Sequence, residues 1–238
     1  MPTAGTALTL SSAVNTTEAT HNLGLTSGGV IALGEVMGSG KLTVCLMSNH
    51  HDYLGNEPTS GGSYTRIRCY FTEYTGTSRD PQLKWVWSGG SVGDVSAEGS
   101  GNDDDGYMGK ANLDDSATWA EIRGDETSSA DTRLMTSTFG WSAIHARRFS
   151  ARGAVIRDIT RSYFVFDVSG ESVPTGEAIT SGSLHFYLDN IGTSTGDSAE
   201  IIAVQATALE GSADDYGNCW VADTVAVTHN ATFFGSNF

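Results

Sequence analysis

Gly192-Thr193-Ser194-Thr195-Gly196 has the G-x-S-x-G spacing that can expose a serine nucleophile. That chemistry needs a strand running through a sharp turn into a helix, whereas the flanking residues predict a hairpin loop, so no nucleophile is expected there. Gly38-Ser39-Gly40-Lys41 is a partial match to a phosphate-cradling loop. Leu42 stands where a Ser or Thr would hold Mg²⁺, and a strand is predicted to follow in place of a helix, so the string is read as a turn. Asp103, Asp104 and Asp105, between Asn102 and Gly106, crowd three carboxylates together, the hard oxygen chemistry that suits Ca²⁺. The EF-hand spacing is not met, because Gly101 occupies the first ligand position and the bidentate Glu is missing. The competing reading is a solvated acidic segment, and Asp214 and Asp215 form a weaker acidic candidate.

His50, His51 and Asp52 are metal-capable, but adjacent strand residues point to opposite faces and no third ligand follows at a useful spacing, so an exposed loop is expected. Cys45, Cys69 and Cys219 are odd in number and lack a CxxC spacing, which indicates neither a disulfide framework nor a zinc site. Cys45 and Cys69 lie in strand-like runs and read as packing thiols. Of Trp85, Trp87, Trp119, Trp141 and Trp220, any of which could stack on a sugar ring, Trp85 and Trp87 read as core and Trp141 is the candidate for glycan contact. Carboxylate pairs for glycoside hydrolysis are defined by their separation, which sequence does not give. No catalytic residue is assigned.

The elements that must carry these groups are strands. Leu42, Val44 and Leu46 alternate in Lys41 to Met47, and Ile67, Cys69 and Phe71 alternate with Arg66, Arg68 and Tyr70; both runs read as half-buried strands. Leu83, Trp85 and Trp87 share a face, as do Phe164, Phe166 and Val168, and Leu184, Phe186 and Leu188; AEIIAVQA follows as a further strand. No helical periodicity is sustained, so any helix is expected to be short. Ser88 to Asp115 carries seven glycines, seven acids and Lys110 as its one base, and reads as a linker or long exposed loop dividing 1–87 from 116–238.

The length of 238 residues fits one large all-β sandwich, and 29 glycines against 39% apolar residues favour short strands and turns over helices. A formal charge of −15 argues against nucleic acid as a partner. No apolar run reaches the ~18 residues of a membrane span, and the start MPTAGTALTL has no basic and apolar leader pattern, so synthesis in the cytoplasm without membrane association is expected.

The segment RSYFVFDVSG…VPTGEAITSGSLHFYL, Arg161 to Leu188, resembles a module found in secreted carbohydrate-associated proteins and in phage virion proteins. That family is a jelly-roll sandwich similar to carbohydrate-binding modules, with an Arg-started strand ending in Phe-Asp-Val-Ser, a Pro-Thr-Gly turn, Ile-Thr-Ser and an aromatic strand. YFTEYTGTSRDPQLKWVWS, Tyr70 to Ser88, resembles the family's closing strand, and HNLGLTSGGVIAL and KLTVCLMSNHHDYLGNEPTSG resemble the segments before it. Residues 1–87 thus resemble the family's C-terminal half and 116–238 its N-terminal half. The resemblance implies a single jelly-roll domain over 1–238, either circularly permuted or completed by strand exchange between subunits. Termini that lie close together make the first tolerable, and a segment the length of 88–115 spans up to ~90 Å extended, which allows the second.

Jelly rolls serve both virus particles and lectins, so the fold alone does not choose a role. Without a leader, an active site or an accompanying catalytic domain, the chain reads as a non-enzymatic phage virion protein, a capsid decoration protein or fibre subunit. It would be made in the host cytoplasm and placed on the virion surface, its partners other virion proteins or copies of itself. Phe233, Phe234 and Phe238 are the expected assembly contacts. The alternative is an extracellular glycan-binding protein that uses Trp141 on a surface polysaccharide. No cofactor is required; the ion implied by the resemblance is a structural calcium.

Overall fold

The computed structural model describes residues 8–10, 19–59, 64–70, 77–97, 105–112, 117–124, 133–135, 141–193 and 199–206. Its strands are β1 (Leu8–Leu10), β2 (Ala19–Gly24), β3 (Lys41–Ser48), β4 (Tyr64–Tyr70), β5 (Gln82–Trp87), β6 (Val92–Ser96), β7 (Asp105–Asn112), β8 (Arg133–Met135), β9 (Trp141–Ala151), β10 (Ala154–Asp167), β11 (Ile179–Thr193) and β12 (Ala199–Ala206). Two short helices, α1 (Ser27–Val36) and α2 (Trp119–Gly124), and a π-helical turn over Asn49–Tyr53 interrupt them. The described residues are mostly β. The segment 88–115, expected as a linker or exposed loop, contains β6 and β7: glycine and acid content marked exposure, but Val92, Val95 and the backbone of 105–112 still complete ladders.

The strands form one antiparallel path, β1-β12-β3-β10-β9-β4-β11-β5-β6, with β2 added to β11, and β7 to β10 and β8. Two long strands change partner midway. On one edge β10 pairs with β9 through Thr160 and then with β3 from Ser162, while its other edge pairs with β7 from Arg157 to Phe164. Likewise β11 pairs with β5 up to His185 and with β4 from Leu188, across two register shifts, with β2 on its opposite edge. A strand that serves two neighbours in turn must bend, and the shifts in β11 supply irregularities of the kind that bend strands.

The main core gathers side chains from both ends of this strand path. Leu42, Val44 and Leu46 of β3, Phe164 and Phe166 of β10 and Ile201 of β12 meet Leu184, Phe186 and Leu188 of β11 with Leu83, Trp85 and Trp87 of β5. A second core occupies the opposite face of the β12-β3-β10 layer, where Cys45, Met47, Tyr163, Val165, Ile202 and Val204 are covered by Trp119 and Ile122 of α2. Residues 42–48 and 159–166 are therefore buried without alternation. The half-buried reading of β3 is corrected: both its faces are dry. By contrast β5 keeps strict alternation, with Leu83, Trp85 and Trp87 inside.

α2 is fixed by a capping box. Thr118 N–H donates to Glu121 Oε2 at 2.7 Å, and Glu121 N–H donates to Thr118 Oγ1 at 3.3 Å. α1 begins at Thr26, whose hydroxyl accepts from Gly29 N–H, and buries Ala32 and Leu33 against the main core. The string 38–41 is the turn between α1 and β3, with Gly38 at φ +74°, a left-handed conformation that glycine adopts without strain.

Candidate functional site

The polar residues of the described structure gather on β9, β10 and the turn after β3. Arg161 stands at the middle of β10 with no solvent exposure, and its Nε and Nη2 donate to Asp52 Oδ2 and Oδ1 at 2.6 and 2.5 Å. Asp52 is itself 2% exposed. Arg123 of α2 donates from Nε to the Asp52 carbonyl at 2.5 Å and from Nη2 to the Tyr53 carbonyl, and lies 4.0 Å from the Asp52 carboxylate. The Trp119 indole N–H donates to the His51 carbonyl at 3.0 Å. These bonds pin the π-helical turn between β10 and α2. The expectation of an exposed loop at His50, His51 and Asp52 is overturned, since His51 and Asp52 are buried by this bonding.

Toward its turn, the β9–β10 hairpin carries a second cluster. Asp158 Oδ1 lies 2.7 Å from His145 Nε2, and Asp158 Oδ2 accepts from Arg147 Nη2 at 2.5 Å. Thr160 Oγ1 lies 3.3 Å from the same His145 Nε2. A nucleophilic triad needs carboxylate and hydroxyl on different ring nitrogens, so that one holds the tautomer while the other takes the proton. Here both press on Nε2, and Thr160 is not activated. Burial works to raise the Asp158 pKa, but the hydrogen bonds and charges of His145 and Arg147 outweigh it and hold the carboxyl below its ordinary value.

Elsewhere on the hairpin, Arg148 and Arg157 stand directly opposite each other, a like-charge pairing that costs stability unless bridged. Glu57 bridges them, its Oε1 lying 2.7 Å from Arg157 Nε and 3.3 Å from Arg148 Nε. On β11, Ser183 Oγ is 2.8 Å from His185 Nε2, and burial, then the Lys84 charge, lowers the His185 pKa. No carboxylate contact to His185 occurs among the described residues. The pair is a hydroxyl and a neutral imidazole on an outer sheet face.

The candidates from sequence are dispersed. Trp141 opens β9 with its backbone paired opposite Tyr70, and Asp105 opens β7 with its backbone opposite Phe164. Asp103, Asp104, Phe233, Phe234 and Phe238 lie outside the described residues, as do Asp214 and Asp215. Among the described residues no three His, Cys, Asp or Glu side chains gather as metal ligands. Trp85, Trp87 and Trp119 are core residues. The Tyr70 and Tyr187 rings, which could stack on a ligand, both hold the Arg79 guanidinium, 4.8 Å from each centroid. Sequence reading missed Arg161 with Asp52; no local signal marks the pair, because β10 also carries Arg157, Asp158, Thr160 and Ser162 beside Arg161.

Comparison with protein-family models, with curated proteins and with solved structures finds no match for the chain.

Proposed function

We propose that the chain is a non-enzymatic structural protein of a phage particle surface, a capsid decoration protein or fibre subunit, built as a jelly-roll sandwich with its halves in permuted order. The observation that carries this reading is the interleaving of strands from 1–87 and 116–238: β3 sits between β10 and β12, and β4 between β9 and β11. Strands of the two segments joined within one chain are what a permuted sandwich requires, in place of exchange between subunits. A double-faced core and a buried ion cluster favour a stiff scaffold, and the His145–Asp158–Thr160 grouping is wired against nucleophilic use. Contacts through Phe233, Phe234 and Phe238, and a structural calcium at Asp103, Asp104 and Asp105, belong to the same proposal.

Light scattering with and without calcium, together with a glycan array, tests it. Expected are no glycan binding by the isolated protein, and loss of particle or oligomer association on removal of residues 233–238. Array binding abolished by Trp141→Ala would replace this reading with glycan recognition, and cleavage of a polysaccharide would refute the non-enzymatic role.

A further inference from the structure

The charge of this acidic protein is segregated. Residues 148–157, the outer part of the β9–β10 hairpin, hold three arginines and no acid, a formal +3 that the Glu57 bridge lowers to +2, while the rest of the chain sets ten basic against 27 acidic side chains, −17. At the hairpin's tip, Arg152 and Gly153 form a two-residue turn with φ of +52° and +84°. Such a turn favours Asn or Asp before Gly; an arginine held in the left-handed region is strained, and residues kept that way cluster where they are used. Arg152 is exposed, and no ion pair or hydrogen bond of its side chain occurs among the described residues. The ladder to β4 ends at Arg147 and that to β7 at Arg157, so among the described residues 148–156 pair only within the hairpin. That stretch has no wholly buried residue on either face.

We propose that the β9–β10 hairpin tip is a docking arm for a second copy of this chain, with Arg152 seated against the copy's acidic surface. The partner follows from charge complementarity: each copy brings a basic arm and a strongly negative remainder, so one arm meets another copy's body with attraction while bodies alone repel. Two arms seated reciprocally close a two-fold dimer, whereas one-way seating is head-to-tail and builds rings or filaments. This rests on the reading of the chain as an assembling protein.

The test is light scattering and sedimentation of the full chain across protein concentration, at about 10 mM and about 300 mM salt, where screening lengths differ severalfold. Expected is a concentration-dependent mass above 25.0 kDa at low salt that falls toward the monomer at high salt. Arg152→Glu should weaken association roughly tenfold and Arg152→Lys should largely retain it. Arg152→Asn is the decisive variant: it relieves the turn and leaves thermal stability equal or higher, yet loses association. A monomer under every condition overturns the docking arm while leaving surface decoration standing. So does assembly that ignores salt and Arg152→Asn, and so does binding of the arm to an anionic polysaccharide without self-association.

Discussion

Arg161 and Asp52 lie 109 residues apart in the chain and meet as a two-pronged ion pair inside the second core. The pair joins the centre of β10 to the turn after β3, and Arg123 extends it to α2. Replacing such a pair with apolar residues can be neutral, but removing one member leaves a buried charge without its counterion. Asp52→Asn is therefore expected to destabilise the fold by about 3–5 kcal/mol, measured by denaturant unfolding. A loss under about 1 kcal/mol would mean that Arg161 reaches water.

Burial of β3 on both faces makes an unusual mutational pattern. Leu46→Ala and Met47→Ala, adjacent and on opposite faces, should each cost about 2–5 kcal/mol. On β5 the same experiment should alternate, with Trp85→Ala costing about 3–5 kcal/mol and Lys84→Ala near zero. Equal tolerance at Met47 and Lys84 would remove the second core.

Trp85 lies directly across from Gly93 of β6, and a Cβ built on Gly93 would overlap the indole ring. Gly93→Ala must push the ring out of the main core, so unfolding at lower denaturant and a shifted Trp emission are expected. An unchanged midpoint would show that β6 yields instead.

Cys45 and Cys69 are fully buried thiols in no disulfide among the described residues, and burial pushes the Cys69 thiol well above its ordinary range. Neither should react with a thiol reagent in the native protein, and both should react in denaturant. Peptide mapping after alkylation distinguishes them from Cys219.

Acid should destabilise the protein in two stages. Burial lowers the pKa of His21, and burial with the Lys84 charge lowers that of His185, both below the ordinary 6.5. The folded state thus binds fewer protons than the unfolded chain, and stability present above pH 6.5 is lost as pH falls through the lowered values. The Asp158 contribution, present above its unfolded value of 3.8, disappears as pH falls further through its depressed value. Thermal midpoints against pH should show both steps; His21→Gln with His185→Gln should flatten the first, and Asp158→Asn the second.

The alternating faces of β5 and β11 were legible because each strand has one wet side, so Trp85, Phe186 and their neighbours stand out at a period of two. The turn at Pro174–Gly176, where Glu177 N–H reaches the Pro174 carbonyl and Gly176 has φ +75°, was legible from its residue types. β3 was readable as a strand but not as a doubly buried one, since Thr43, Cys45 and Met47 are ambiguous between faces and the layer that covers them comes from residues 117–124. The strands within 88–115 were hidden by glycine, because ladder formation depends on a partner edge and not on the segment's own side chains. The ion cluster was hidden for a similar reason: Asp52, Arg123 and Arg161 are each ordinary in sequence, and only the topology brings them together.

The central position of β3 sets a schedule for biosynthesis. Its ladder partners lie at residues 162–167 and 201–206, so the strand leaves the ribosome more than a hundred residues before either neighbour exists. At about 5–20 residues per second, that delay is roughly 6–30 s. Throughout it, a strand with two apolar faces has only α1 and the turn over 49–53 beside it and neither ladder partner, and this protein's yield in a cell will depend on what shields the two open edges of residues 41–48 during that interval.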